Sequence, residues 1–250
     1  MSKPNPVLTI HGLLSSIDYF SFQAYLEGVD VRTPDRLGYE TQRGSADPGG
    51  ITLQGQARHV ADYLRRHLRQ PAWILGHSVG GAIAMLVASQ APDLVCGLIS
   101  VEGNFTLNDA FWCRKIAPMD AHEWQVEYDR MCGDAEAWLR ASGIESRPER
   151  EQWERIILAN QPAATVQAMA RAVVKETASE AYLASVKVVV DRGTPIHLIA
   201  GETSRASWDV PAWIAAAAQS DTMLPGVGHM MMLETPQAFC HAVRDILQGD

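Results

Sequence analysis

Between an apolar run, Ala72-Trp73-Ile74-Leu75, and a helix-forming one, Ala82-Ile83-Ala84-Met85-Leu86-Val87-Ala88, the chain reads Gly76-His77-Ser78-Val79-Gly80-Gly81. No other segment restricts the fold so sharply. A strand must feed a tight turn that opens a helix, with a serine at its apex. Gly76 and Gly80 leave room where the backbone is too cramped for side chains, and the Ser78 hydroxyl is pushed out at the strand's carboxyl end. A G-x-S-x-G spacing by itself arises by chance, and a serine capping an ordinary helix would satisfy it. Set between strand and helix, it signals a nucleophilic serine.

The rest of the chain supplies a matching frame. Strands are expected at Val7–Ile10, at 29–33 and at Val95–Val101, with helices from 17 to 27 and from 52 to 69 between them. Pro34-Asp35-Arg36-Leu37-Gly38-Tyr39 reads as a loop. Short connections between alternating strands and helices mark a mostly parallel sheet flanked by helices. The alternation stops at residue 103. Helical patterns at 121–131, 135–141, 148–159, 162–176 and 180–190 follow, before strands return at 195–201 and 221–224 and a last helix at 236–247. The expected organisation is an α/β core of residues 1–102 and 191–250, interrupted by a helical insertion at 103–190.

Composition narrows the partners. With 47% hydrophobic and 20% charged residues, the chain reads as a soluble globular protein. A net charge of −8 spread without acidic blocks disfavours nucleic acid and anionic membrane. The four cysteines, Cys96, Cys113, Cys132 and Cys240, form no C-x-x-C pair, and free thiols are expected. The amino-terminal residues lack the apolar stretch of a signal peptide, and no segment is apolar for long enough to span a bilayer. A cytoplasmic location is the expectation.

A serine hydroxyl needs a base within hydrogen-bond reach. His229, in Gly226-Val227-Gly228-His229-Met230, lies in a glycine-rich loop between the last strand and the last helix, at the sheet edge where Ser78 emerges. Of the other histidines, His59, His67 and His241 lie on helices, His197 on a strand, His122 in the insertion and His77 in the tight turn itself. An acid must hold the second nitrogen of that histidine. Glu102, directly after the Val95–Val101 strand, is favoured because a carboxylate at a buried strand end is costly unless paired; Glu202 and Asp209 stay open as alternatives. For an oxyanion, Val79 offers an amide at a helix amino terminus, and Leu13 a second one just after His11-Gly12.

Taken together, His11-Gly12, Asp35-Arg36-Leu37-Gly38-Tyr39, Gly76–Gly81 and Gly226-Val227-Gly228-His229 resemble the motifs of α/β-hydrolase fold proteins, over nearly the whole chain. The resemblance implies Ser78 as nucleophile, His229 as base, the Leu13 and Val79 amides as oxyanion hole, and residues 103–190 as a helical cap. Two departures stand out. Ser204 occupies the place where many members carry the acid, whereas Glu102 matches the position used by others, including a branch of the haloalkane dehalogenases. The first β-hairpin of many relatives has no counterpart, which makes a homodimer worth testing. Epoxide hydrolases and haloalkane dehalogenases carry aspartate where Ser78 stands, so acyl transfer is implied: hydrolysis of a small ester or thioester, with no metal and no cofactor. The alternatives are a receptor-like binding protein with little turnover, and a lyase or acyltransferase with the same residues. His11, Gly12, Phe105, Trp112 and Met230 are the candidate pocket residues, for an apolar or aromatic acyl substrate.

Overall fold

The computed structural model describes residues 5–14, 22–45 and 47–249. In chain order the elements are β1 (Val7–Ile10), α1 (Phe22–Tyr25), β2 (Val31–Arg32), α2 (Leu53–His67), β3 (Ala72–His77), α3 (Val79–Gln90) and β4 (Val95–Val101). Six helices follow: α4 (Phe111–Ile116), α5 (Ala121–Gly133), α6 (Ala135–Ala141), α7 (Pro148–Ala159), α8 (Ala163–Thr177) and α9 (Glu180–Asp191). The chain ends with β5 (Ile196–Gly201), α10 (Ala212–Ala217), β6 (Ser220–Leu224), α11 (Met231–Glu234) and α12 (Pro236–Gly249).

The six strands form one sheet in the order β2-β1-β3-β4-β5-β6, every pairing parallel. Burial explains the sequence of each strand. Every residue of β1, β3 and β5 is buried, which is why these strands read as unbroken apolar runs. At the edge, β6 alternates between half-buried and exposed residues until the buried Leu224. The expected strand at 29–33 shrinks to Val31–Arg32, because the Val29 amide turns back to the Leu26 carbonyl (3.1 Å) and leaves only a two-residue edge. The expected helix at 17–27 is described only at its end, as α1; residues 15–21 lie outside the described residues.

Helices cover the sheet in two groups: α2, α3 and α9 pack in a row, and α1 packs with α12. Ten residues of α3 are buried, so this helix is apolar on all sides rather than striped. Polar caps fix other helix starts: Thr52 accepts from the Gly55 amide, and Asp120 with Glu123 forms a reciprocal capping box at α5. The consequence for function lies in strand order. From β1 the chain moves outward to β2, then returns to β3 on the opposite side of β1. That reversal opens a crevice at the carboxyl ends of β1 and β3, where open parallel sheets bind ligands.

Candidate active site

Ser78 stands at the end of β3, on that crevice. Its backbone takes φ 53°, ψ −122°, a conformation that costs a non-glycine residue about 1–3 kcal/mol and is kept only where the surroundings enforce it. Here they do. The Ser78 amide donates to the Val101 carbonyl (3.0 Å), and the Ser78 carbonyl accepts from Gly81 (2.9 Å) and Asn104 (3.0 Å). A Cβ at Gly80 would lie 2.1 Å from the Ile10 carbonyl oxygen, so α3 can start this close to β1 only on a glycine.

Glu102 follows β4 with a second positive φ, 41°, and is 5% exposed. Its carboxylate is fully engaged. Nδ1 of His229 donates to Oε2 at 2.6 Å, while Oε1 accepts from the Ser204 hydroxyl (2.5 Å) and the Gly201 amide (2.8 Å). Burial pushes the carboxyl pKa up, but the hydrogen bond and charge of His229, then the Ser204 and Gly201 donors, outweigh it and hold it below the ordinary range. The charged acceptor fixes the proton of His229 on Nδ1 and leaves Nε2 as the basic nitrogen.

The loop carrying His229 is braced on two sides. Glu234 accepts from the Gly228 amide (2.8 Å), and Nε2 of His77 lies 3.0 Å from the His229 carbonyl. Burial, then the neighbouring His229, pushes the His77 pKa down to about 3, so His77 is neutral and donates that bond. Among the described residues no hydrogen bond joins the Ser78 hydroxyl to His229; catalytic hydrogen bonds are commonly long before substrate arrives.

The Val79 amide opens α3 and so has no partner within the helix. The Leu13 amide belongs to the loop after β1, which runs against the nucleophile: a Cβ at Gly12 would lie 3.2 Å from Cβ of Ser78. Neither amide donates to another backbone group among the described residues. The Tyr39 hydroxyl anchors this loop by donating to the Leu13 carbonyl (2.7 Å).

The other candidate acids are engaged elsewhere. Glu202 accepts from the Gly226 amide (2.7 Å), and Asp209 from the Thr106 hydroxyl (2.7 Å) and Asn108 Nδ2 (2.9 Å). Of the candidate pocket residues, Trp112 and Met230 line a cavity of about 450 Å³ with Phe111, Met131, Trp138 and His229. Phe105 does not line it; it is 1% exposed and stacks on Trp208 at 5.8 Å, because the loop after Glu102 turns inward and its amide is held by Asp109 (2.8 Å). His11 and Gly12 are buried and build the loop rather than this cavity wall.

Three residues of this region lie outside the candidate site residues. Phe111 is 60% exposed and lies edge-on to His229 at 6.4 Å. His77 holds the His229 loop, and the Ser204 hydroxyl donates to the Glu102 carboxylate. Phe111 carried a signal as one of the insertion's aromatics, next to Trp112, and Ser204 carried one in its place two residues after Glu202. Among the described residues no group of three histidine, cysteine or acidic side chains could hold a metal, and no helix is long and apolar enough to cross a membrane.

Comparison with known proteins agrees with this architecture. A family model described as the alpha/beta hydrolase family matches residues 7–242. Lipase LipV of Mycobacterium tuberculosis is 31% identical over 102 residues, a match spanning 40% of this chain and 38% of the lipase. A thermophilic esterase from Thermogutta terrifontis superposes with a TM-score of 0.72 at 20% identity, covering 100% of this chain and 91% of the esterase. A haloalkane dehalogenase variant from Bradyrhizobium elkanii gives 0.73 at 18% identity, covering 100% and 91%.

Proposed function

The chain belongs to the alpha/beta hydrolase family, and on that footing we propose that it is a serine hydrolase cleaving a small carboxylic ester or thioester through an acyl-enzyme intermediate. The observation that carries this reading is the 2.6 Å pair of His229 and buried Glu102 beside the turn that presents Ser78. It gives the imidazole the tautomer a general base needs.

In the first step Ser78 Oγ attacks the carbonyl carbon while its proton passes to Nε2 of His229. The imidazolium is stabilised by Glu102, and the oxyanion by the Leu13 and Val79 amides; each such donor contributes on the order of 10²-fold in rate. Collapse breaks the bond to the leaving group, which takes the proton from Nε2. Water repeats the sequence on the acyl-serine, and the carboxylic acid is released. Phe111, Trp112, Trp138 and Met230 beside His229 supply apolar surface for an apolar or aromatic substituent.

The test needs no knowledge of the natural substrate. Wild-type protein treated with a fluorophosphonate should gain one adduct by intact mass, and Ser78→Ala and His229→Ala should gain none. Turnover of p-nitrophenyl butyrate should vanish in Ser78→Ala with an unchanged melting curve. Labelling or turnover that persists in a folded Ser78→Ala protein overturns the reading.

A further inference from the structure

Arg36 is a cation sealed behind the loop that carries the Leu13 amide. It is 1% exposed, and its partners among the described residues are His11, the Gly12 carbonyl and the ring of Tyr39, with no carboxylate among them. Nη2 donates to the Gly12 carbonyl at 2.5 Å, Nε and Nη2 lie 3.3 and 3.0 Å from the two nitrogens of His11, and the guanidinium carbon sits 4.1 Å from the Tyr39 ring centre. Among the described residues Nη1 has no hydrogen-bond partner. Burial and the charge of Arg36 press the pKa of His11 well below its usual value, so His11 is neutral and Arg36 carries the charge. A buried guanidinium held only for the sake of the fold would be expected to face a carboxylate, because an unpaired charge in the interior is destabilising.

The partner it does face is informative. The peptide whose carbonyl Arg36 holds is the one whose N–H is Leu13. The chain contains no cis peptide among its described residues, so that N–H points away from the carbonyl and hence away from the guanidinium. The next peptide is held as well, by the Tyr39 hydroxyl on the Leu13 carbonyl. The loop also lies against Ser78 at Gly12.

We propose that Arg36 is a positioning residue for the oxyanion hole: it clamps the Gly12–Leu13 peptide and polarises it, so that the Leu13 N–H is aimed and strengthened as a donor. A charge-assisted hydrogen bond on the carbonyl draws electron density toward oxygen and leaves the N–H more positive. The gain grows as negative charge develops on the substrate oxygen, so it falls on the transition state more than on the bound ester. This inference rests on the serine hydrolase reading above.

The test compares Arg36→Gln, which keeps donors but removes the charge, with Arg36→Lys, which keeps the charge on a shorter reach. Folded protein is scored by near-ultraviolet circular dichroism. Both are assayed with p-nitrophenyl butyrate and with a trifluoromethyl ketone, which forms a tetrahedral adduct on serine. For Arg36→Gln the expected result is a kcat lowered by on the order of 10²-fold, KM within about threefold, and ketone affinity weakened in parallel with kcat. Arg36→Lys should recover part of both losses. Should Arg36→Gln not fold, Tyr39→Phe tests the same clamp and should lower kcat and ketone affinity together by about tenfold. The proposal is overturned by folded variants that keep wild-type kcat and ketone affinity, or that lose kcat with ketone affinity intact. Full activity in Ser78→Ala would instead sink the hydrolase reading itself.

Discussion

Glu102→Gln is the most demanding perturbation, because the hydrogen-bond pattern around the carboxylate dictates its outcome. Oε1 faces two donors, the Gly201 amide at 2.8 Å and the Ser204 hydroxyl at 2.5 Å. The Gly201 amide cannot reverse its role, so the single oxygen of glutamine must occupy that side. Its NH₂ group then takes the place of Oε2, 2.6 Å from Nδ1 of His229. Two donors cannot share that contact, so Nδ1 must become the acceptor and the imidazole proton must move to Nε2. An imidazole protonated there cannot accept the Ser78 proton.

The expected cost is a kcat lower by on the order of 10³–10⁴-fold, the scale for forcing the wrong tautomer in a serine triad. KM should stay within about threefold, since the change touches no substrate contact. Stability should fall by about 1–2 kcal/mol as charge-assisted bonds become neutral ones. The assay is steady-state hydrolysis of p-nitrophenyl butyrate beside thermal melts, with Glu202→Gln and Asp209→Asn as comparisons expected to keep wild-type rates. Folded Glu102→Gln retaining more than a tenth of kcat would refute the tautomer argument; loss of activity in Glu202→Gln alone would move the acid to the β5 end. The depressed Glu102 pKa also sets a pH dependence. Its stabilising contribution is fully present above the unfolded carboxyl pKa of about 4.3 and is lost as pH falls through the lower folded value. Glu102→Gln should therefore flatten the acid side of the stability profile below pH about 4.

Two further predictions concern the scaffold. Glu154 in α7 is 0% exposed, neither carboxyl oxygen has a hydrogen-bond partner among the described residues, and burial raises its pKa to about 8. Here the folded pKa lies above the unfolded one, so wild type should lose on the order of 3 kcal/mol between pH 4.5 and 7, and Glu154→Gln should remove that slope in denaturant titrations; an unchanged slope would mean that Glu154 is not the titrating group. Gly80→Ala forces a Cβ to 2.1 Å from the Ile10 carbonyl, and should lower stability by about 3 kcal/mol and abolish fluorophosphonate labelling. A variant with wild-type melting and labelling would contradict the proposed crowding at the turn.

The sequence makes an element legible where its burial follows a regular pattern. β4, almost wholly buried, and the helices 135–141 and 148–159, which bury only a few residues each, all take the bounds expected of them. A two-residue edge strand such as β2, with neither residue buried, is too short to show a pattern. The site divides along a different line. Ser78 and His229 announce themselves through glycines that neighbour them in sequence. Glu102, Glu202 and Asp209 all lie at or after strand ends, and only the fold decides which one faces His229. Arg36 is hidden for a related reason: its loop of proline, aspartate and glycine carries no burial pattern, and its burial follows from His11, Gly12 and the Tyr39 ring closing around it.

Backbone strain locates the site more directly than composition does. Three non-glycine residues among those described have positive φ: Glu40, Ser78 and Glu102. Neither serine nor glutamate favours that region, so no propensity rule would place them there, and glycine would relieve each position. At Ser78 and Glu102 a glycine would also delete the hydroxyl or the carboxylate. Each position thus keeps a side chain at a cost of about 1–3 kcal/mol that the Val101, Gly81 and Asn104 hydrogen bonds help to offset at the turn. Local preference and the native conformation conflict at two of the three residues whose side chains the proposed chemistry requires, Ser78 and Glu102, which is where a folded sequence is expected to break its own rules.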